Sequence, residues 1–321
     1  MTRYLAQRAI AFIPTLVGVS LLVFLAIRLV PGDAILAMLG TEAGMLTEGQ
    51  RASLEAYFGL DKPIGEQYFT WMWNVLQGNL GYSVRHGAPA LDLILERFPV
   101  TVELALLAVA IALMVGLPIG ILSALRHNTL IDLIGRFFAI IGLSVPNFLL
   151  GTLVIYVLSV YFGILPNSGD FVHFQEAPLR NLEQMIFPAL VMGFSFASSV
   201  MRMTRSALLE VLGEDYVRTA RSKGLRSHTI IRRHALRNAL IPVVTLIGVE
   251  IGYLLGGAVI VEQIFALPGI GRLAYNAILQ RDYALVQAVT LFIALNFVLI
   301  NLFVDLVYAA IDPRISYAHR D

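Results

Sequence analysis

The sequence predicts an all-α polytopic membrane protein with about six transmembrane helices. Of its 321 residues, 58% are hydrophobic and 14% are charged, whereas soluble domains carry about 25% charged residues. Separate apolar segments approach or exceed the length of about 20 residues that a bilayer requires. Because the apolar excess runs through the whole chain, we expect one membrane domain over residues 1–321 rather than two soluble domains.

The predicted spans follow from the apolar runs, and they cover residues 9–30, 101–125, 137–162, 185–201, 240–261 and 284–310. The first run exceeds a signal-peptide core and has no cleavage site after it, so we interpret it as an uncleaved helix. Pro146 interrupts the third run. The fourth run is short, and we expect its helix to continue into water.

The distribution of arginine and lysine predicts the orientation. Residues 202–237 carry nine basic residues, and both terminal segments carry arginines as well. By contrast, residues 31–99 contain four basic residues against eight acidic ones. We therefore expect both termini and the 202–239 loop to be cytoplasmic, and the insertion at 31–99 to lie outside.

The 31–99 insertion contains two predicted helices. The first covers residues 47–58 and is capped by Thr47, with Gln50 three residues later. The second covers residues 64–76, and a turn follows at 78–83. Its tryptophans and other aromatic residues are typical of an interfacial aromatic belt. A docking surface for an outer partner is the alternative.

The chain contains none of the common catalytic motifs, so we predict that it is not an enzyme. It lacks a G-x-x-x-x-G-K-[ST] phosphate-binding loop and an H-E-x-x-H zinc motif. It contains no cysteine, which excludes disulfides and thiolate metal sites. The formal net charge of +1 gives no indication of a nucleic-acid partner.

Polar residues within the predicted spans are candidates for a transport pathway, because each is costly in a bilayer. They are Glu250, Asp305 and Asn296. Hydrogen bonding between helices is the alternative role for the two carboxylates. Gly248, Gly252 and Gly256 form a stripe of small residues on the fifth span, which predicts close helix packing.

The loop between the fourth and fifth spans predicts two helices joined by a tight turn. Glu214 and Asp215 favour a helix start near residue 213. Gly224 suits the left-handed position that ends a helix. A second helix then begins at Ser227, and Pro242 is expected to open the fifth span. Ala220 and Gly224 lie four residues apart, on a side that would allow a partner to approach closely.

This loop resembles the coupling loop, often called the EAA loop, of bacterial ABC importer permeases. The resemblance is closest to the dipeptide and oligopeptide branch, although Arg218-Thr219-Ala220 stand where Glu-Ala-Ala is general. It continues in the family's order at residues 28–33, 59–63, 78–83, 262–271 and 312–314. The residues that carry it in the loop are Asp215, Tyr216, Arg218, Thr219, Ala220, Lys223 and Gly224, followed by the segment 234–242.

The resemblance implies a type I ABC importer transmembrane domain that moves peptides across the bacterial cytoplasmic membrane by alternating access. It implies three kinds of partner besides the lipid bilayer: a second, related permease subunit, two cytoplasmic ATP-binding subunits and an extracytoplasmic substrate-binding protein. The ATP-binding subunits would hold ATP and Mg²⁺, and this chain would bind no cofactor. The loop residues would contact the ATP-hydrolysing subunit.

Other functions remain open from the sequence. Relatives in the same branch also import nickel complexes and oligosaccharides. An ion-coupled secondary transporter using Glu250 and Asp305 is a different class, although no inverted repeat is apparent. An intramembrane hydrolase would need a catalytic pair that the sequence does not show.

Overall fold

The computed structural model describes residues 2–28, 47–57, 61–167, 169–256 and 258–311. These residues confirm the predicted all-α architecture, with one short β-hairpin among them. The elements in chain order are α1 (Thr2–Arg28), α2 (Glu48–Tyr57), α3 (Ile64–Leu76), β1 (Tyr82–Ser83), β2 (Ala88–Pro89), α4 (Ala90–Leu125), α5 (Leu130–Ser144), α6 (Asn147–Phe162), α7 (Pro178–Gly213), α8 (Asp215–Ser222), α9 (Ser227–Leu255), α10 (Val259–Ile264), α11 (Ile270–Leu279) and α12 (Tyr283–Ile311).

In the described part of the chain, four helices are long and apolar enough to cross a membrane: α4, α7, α9 and α12. α5 and α6 pass the same test only as a pair, bent by 99° at their break. The bend lies at the expected proline, because Val145 is forced into extended backbone by Pro146. α1 carries the first predicted span, and its apolar stretch is Phe12–Ala26.

α4 and α7 run side by side in the same direction. Three core clusters follow one another along both helices in the same order, containing Leu104 with Met185, Ala112 with Ala197, and Ala124 with Leu208. Each helix has 36 residues, which corresponds to about 54 Å at 1.5 Å per residue. Both helices therefore extend beyond a hydrocarbon core of about 30 Å.

Small residues allow this close approach. Every fourth residue of α4 is buried and small, in the series Ala108, Ala112, Gly116, Gly120 and Ala124. A methyl group on Gly116 would lie 2.5 Å from the Ala197 carbonyl oxygen of α7. The two backbones are therefore in direct contact, as is typical of membrane helices with small-residue stripes.

The glycine stripe predicted on α9 packs against α12. A methyl group on Gly248 would lie 2.3 Å from Val304, and one on Gly252 would lie 3.1 Å from the Phe297 ring. The expected packing role is thus confirmed for these two glycines.

α9 differs from its prediction at both ends. The fifth span was predicted at 240–261, opened by Pro242, but the helix begins at Ser227 and Pro242 lies inside it. A π-helical stretch, Ile230–Ala235, precedes the proline. Interior prolines are tolerated in membrane helices because neighbouring helices hold the chain. At the other end α9 stops at Leu255, and α10 is a separate helix.

We call the end of the bundle where α7 leads into α8 the loop end, and the opposite end the hairpin end. At the hairpin end, β1 and β2 pair in an antiparallel hairpin where the sequence predicted only a turn. The Ser83 hydroxyl donates a hydrogen bond to Asp282, just before α12. Buried residues of α4, α11 and α12 form the core beneath, among them Ile94, Leu273 and Leu285.

Part of the predicted outer insertion is described. The capping box is confirmed, because the Thr47 backbone N–H donates to Gln50 Oε1 (3.0 Å) and the Gln50 N–H donates to Thr47 Oγ1 (3.4 Å). α3 packs against α1, where Tyr68 bonds the Ser20 hydroxyl (2.8 Å). Residues 29–46, 58–60 and 312–321, which include several of the resembling segments, lie outside the described residues.

Candidate functional site

α8 is a short helix at the loop end, formed by the central part of the predicted coupling loop. It begins at Asp215 after Glu214, whose backbone is extended (φ −68°, ψ 148°). Its last residue is Ser222, and Gly224 two positions later stops it with a left-handed φ of +76°. The Leu225 N–H donates to the Ala220 carbonyl (3.3 Å) and the Gly224 N–H donates to the Arg221 carbonyl (2.9 Å), which together form a Schellman motif. The predicted glycine stop is confirmed.

One face of α8 packs against the rest of this chain. Val217 and Ala220 are buried and form a small core with Ile230 of α9, to which Val211 and Leu212 of α7 also contribute. The expectation that Ala220 is open to a partner is therefore wrong. Val217 and Ala220 are three residues apart on one helical face, and Ile230 from the next helix covers that face.

Tyr216 links α8 to α9, because its hydroxyl accepts a hydrogen bond from Asn238 Nδ2 (2.8 Å). About 40% of the residue remains exposed. Tyr216 thus contacts the body of the protein through its hydroxyl, and part of its surface remains exposed.

The opposite face of α8 is exposed and polar. Arg218 pairs with Asp215 across one turn (3.3 Å), and both side chains are largely in solvent. Thr219, Lys223 and Gly224 are exposed on the same segment. We call the exposed residues Asp215, Arg218, Thr219, Lys223 and Gly224 the docking face.

The helices behind α8 form a fixed base for it. Ala124 of α4, Leu208 of α7 and Ala239 of α9 belong to one core cluster at the loop end. A single residue, Glu214, separates α7 from α8. A force on the docking face would therefore act directly on α7 and α9.

The polar residues predicted in the spans do not form a cluster. Glu250 is partly buried on α9, and no hydrogen bond or ion pair to another described residue reaches its carboxylate. Asn296 Nδ2 donates to the Phe292 carbonyl of its own helix (2.8 Å). Asp305 lies on α12, but its side chain is outside the described residues. Within the described chain, no group of three His, Asp or Glu side chains could hold a metal ion.

A buried carboxylate at the hairpin end, Glu262, was not singled out from the sequence. It is 0% exposed. Its Oε1 accepts a hydrogen bond from the Thr101 hydroxyl of α4 (2.8 Å), and its Oε2 accepts one from the Arg272 backbone N–H in the first turn of α11 (2.8 Å). Thr101 Oγ1 in turn accepts the Ile270 N–H (2.9 Å). Glu262 thus ties α10 to α4 and α11.

Burial raises the pKa of the Glu262 carboxyl, and its hydrogen bonds from Arg272 and Thr101 oppose the shift only in part. The neighbouring glycine is essential to this geometry, because a methyl group on Gly269 would lie 2.3 Å from Glu262 Cδ. The signal in the sequence was a lone glutamate next to the glycines of the 262–271 segment.

A second buried carboxylate, Asp132, lies near the loop end and was also missed. It is 0% exposed and forms a bidentate pair with Arg205 of α7, with N–O distances of 2.6 and 2.9 Å. The sequence shows only one acidic and one basic residue 73 positions apart. Nothing in their local patterns predicts that they meet.

Comparisons with known proteins agree with this architecture. Residues 116–317 match the family model described as binding-protein-dependent transport system inner membrane component, and residues 1–105 match that of its N-terminal region. The chain is 39% identical to the dipeptide transport system permease protein of Escherichia coli (strain K12), covering 99% of both chains. It is 42% identical to the glutathione transport system permease protein of Pectobacterium atrosepticum, covering 99% of this chain and 100% of the relative.

A further relative is a putative peptide transport system permease protein of Brucella suis, 41% identical over 99% of this chain and 100% of the relative. Among solved structures, an inward-facing methionine ABC transporter matches with a TM-score of 0.52 and 19% identity, covering 68% of this chain and 96% of that one. An amino acid ABC transporter matches with a TM-score of 0.53 and 16% identity, covering 68% and 94%. At these identities, the two structures support the fold alone.

Proposed function

Because the chain belongs to the family of binding-protein-dependent transport system inner membrane components, we propose that it is the permease subunit of an ATP-driven peptide importer. The observation that carries the proposal is the similarity, over 99% of the chain, to permeases of dipeptide, glutathione and peptide transport systems. Dipeptides and glutathione are both short peptides, which favours a short peptide as the substrate here.

ATP would be hydrolysed by separate subunits. The sequence has no phosphate-binding loop motif, so we infer that two cytoplasmic partners bind ATP and Mg²⁺. The docking face on α8 supports this inference, because it is polar and exposed while the rest of α8 is fixed to the bundle. A second, related permease and an extracytoplasmic substrate-binding protein would complete the importer in the bacterial inner membrane.

The transport step would be alternating access. When the ATP-binding subunits close, they would move α8, and α8 would carry α7 and α9 with it because Val217 and Ala220 pack against both. The rearranged helices would close the pathway on one side of the membrane and open it on the other. Side chains of this chain would guide the peptide without reacting with it.

Purification of this chain from its native membrane, with mass spectrometry of the proteins that co-purify, tests the assembly. We expect two ATP-binding subunits and a second permease. Reconstituted with the binding protein in liposomes, the complex should import a labelled dipeptide only with ATP. Import of a nickel complex or an oligosaccharide instead would replace the substrate class and leave the importer assignment intact.

Import that needs an ion gradient and no ATP would overturn the importer assignment. It would favour a secondary transporter that uses Glu250 and Asp305. Glu250→Gln separates the two cases: it should abolish gradient-driven transport, whereas in an ATP-driven importer we expect it to assemble and transport normally.

The docking face is tested by charge reversal at Arg218. In Arg218→Glu the fold should persist, because Arg218 is exposed and its ion pair is with the equally exposed Asp215. We expect the ATP-binding subunits to be lost from the purified complex. Arg85→Glu, an exposed arginine in the hairpin at the other end, is the matched control and should retain them. Equal retention in both variants would place the ATPase contact elsewhere.

A further inference from the structure

Asp132 is the most completely bonded carboxylate at the loop end. It lies in the first turn of α5 and is 0% exposed. Its Oδ1 accepts the Ser123 hydroxyl (2.5 Å) and Arg205 Nε (2.6 Å). Its Oδ2 accepts Arg205 Nη2 (2.9 Å) and the Asn128 backbone N–H (3.1 Å). Four donors therefore converge on a single buried side chain.

These donors come from three parts of the fold. Ser123 is near the end of α4, and Arg205 is on α7. Asn128 lies in the turn between α4 and α5, and its left-handed backbone (φ 61°) directs its N–H towards the carboxylate. Bidentate arginine–carboxylate pairs fix orientation as well as distance. The Asp132–Arg205 pair thus fixes the start of α5 on α7.

The rest of α5 also packs closely against α7. A methyl group on Gly135 would lie 2.7 Å from Met201 Cε, and one on Gly142 would lie 2.8 Å from Ser198 Cβ. α5 therefore contacts α7 along most of its length, from the ion pair to its last turn.

The contact between α5 and α7 lies between the docking face on α8 and the bent α5–α6 pair. Arg205 is eight residues before Gly213, where α7 passes into α8, a distance of about 12 Å along the helix. At the other end, α5 leads into the 99° bend and α6. α6 contacts the residue that follows α10, because Gly151 packs against the Phe265 ring. A methyl group on Gly151 would lie 3.2 Å from that ring.

We infer that the Asp132–Arg205 pair is a positioning clamp that makes α5 move with α7, so that a displacement of α8 reaches the bent α5–α6 pair. This inference rests on the proposed function, because it assigns the clamp to ATP-driven coupling. In this role neither residue would act on substrate or nucleotide directly. Their role is to keep a membrane helix in register with the helix that carries the docking face.

The clamp is tested with Asp132→Asn in the complete importer. An amide retains the size of the side chain but has one acceptor oxygen in place of two, so the bidentate pair is lost. We expect peptide import per ATP hydrolysed to fall about tenfold, on the order of the weakening of the α5–α7 contact when one hydrogen bond to a charged group is lost. Glu66→Gln, the same chemical change in the exposed Lys62–Glu66 pair, should leave this ratio unchanged.

The double variant Asp132→Asn/Arg205→Gln distinguishes a loss of coupling from a failure of the complex to assemble. Arg205 is half-buried, with 17% of its side chain exposed, and a charge left without its partner in such a site destabilises a protein, whereas removing both charges together is often tolerated. We expect the double variant to assemble at wild-type yield and still to import poorly per ATP hydrolysed. Normal import per ATP in the double variant would overturn the inference.

A distance measurement separates this inference from the proposed function. The chain contains no cysteine, so spin labels at Leu133→Cys on α5 and Arg202→Cys on α7, both exposed, report only that pair. With the clamp intact, we expect one narrow distance distribution with and without ATP, and a broad one in Asp132→Asn. An unchanged distribution in Asp132→Asn would refute the clamp. A wild-type complex that fails to import with ATP would refute the proposed function instead.

Discussion

Gly224 and Glu262 show which roles of single residues the sequence predicts and which it does not. Gly224 was placed correctly at a helix stop, because its left-handed backbone is a local requirement. Ala220 was misplaced, since the residue that covers it, Ile230, comes from the next helix. Glu262 was not singled out because its partner Thr101 is 161 residues away. Residue roles were predictable where they depend on neighbours in sequence.

Replacing Glu262 by glutamine tests the buried network at the hairpin end. The Thr101 hydroxyl and the Arg272 N–H donate to different oxygens of Glu262, whereas glutamine has a single acceptor oxygen. One buried donor is then left unpaired, so we expect the free energy of unfolding to fall by about 1–3 kcal/mol. Because burial raises the pKa of Glu262 above 4.5, the folded protein binds this proton more tightly than the unfolded chain does. The stability that this proton contributes is complete below pH 4.5, the ordinary pKa of a glutamate side chain, and is lost as the pH rises through the raised pKa.

The melting temperature of the purified complex, measured at several pH values, checks this prediction. The difference between wild type and Glu262→Gln should be largest in acid and should shrink towards neutral pH. Glu66→Gln, at an exposed position, should stay within about 0.5 kcal/mol of wild type. A difference that grows with pH would mean that the network favours the charged carboxylate.

At the scale of helices, hydropathy predicted which segments form membrane helices. It did not predict where those helices end or which helices they pack against. α4 begins at Ala90 rather than at residue 101, and α9 passes through Pro242. Both errors arise because apolar length marks the part of a helix inside the bilayer, while packing and caps decide where the helix ends. The small residues of α4 lie at four-residue spacing in the sequence, but the sequence analysis singled out only the stripe on α9, and the helix that packs on α4 is not predictable from spacing.

Gly116→Ala tests the contact between α4 and α7. The new methyl would lie 2.5 Å from a backbone oxygen, so the helices must separate, at a cost of about 1–3 kcal/mol. We expect a melting temperature several degrees lower for the purified complex. Gly18→Ala in α1 is the matched control, because nothing lies within 4 Å of its methyl. Equal melting temperatures in the two variants would show that the α4–α7 contact can relax.

At the scale of the whole molecule, the parallel course of α4 and α7 determines the path between them. The chain leaves α4 at the loop end, beside Leu208, and enters α7 at the hairpin end, where Met185 packs near Leu104. It must therefore return along the length of the bundle, and α5 and α6 are the helices on this return path. We therefore expect the bent pair to act as one complete span, which length and composition alone leave undecided.

Cysteine labelling checks this path and the orientation predicted from the basic residues. The chain has no cysteine of its own, so Ser222→Cys at the loop end and Arg85→Cys in the hairpin give unambiguous sites, and both are exposed. Three spans separate them if the bent pair crosses the membrane, which puts them on opposite sides. We expect a membrane-impermeant maleimide to label residue 85 from outside the cytoplasmic membrane and residue 222 only in inside-out vesicles. Labelling of both from the same side would mean that α5 and α6 form a re-entrant loop, and labelling with the sides exchanged would reverse the orientation but preserve the path.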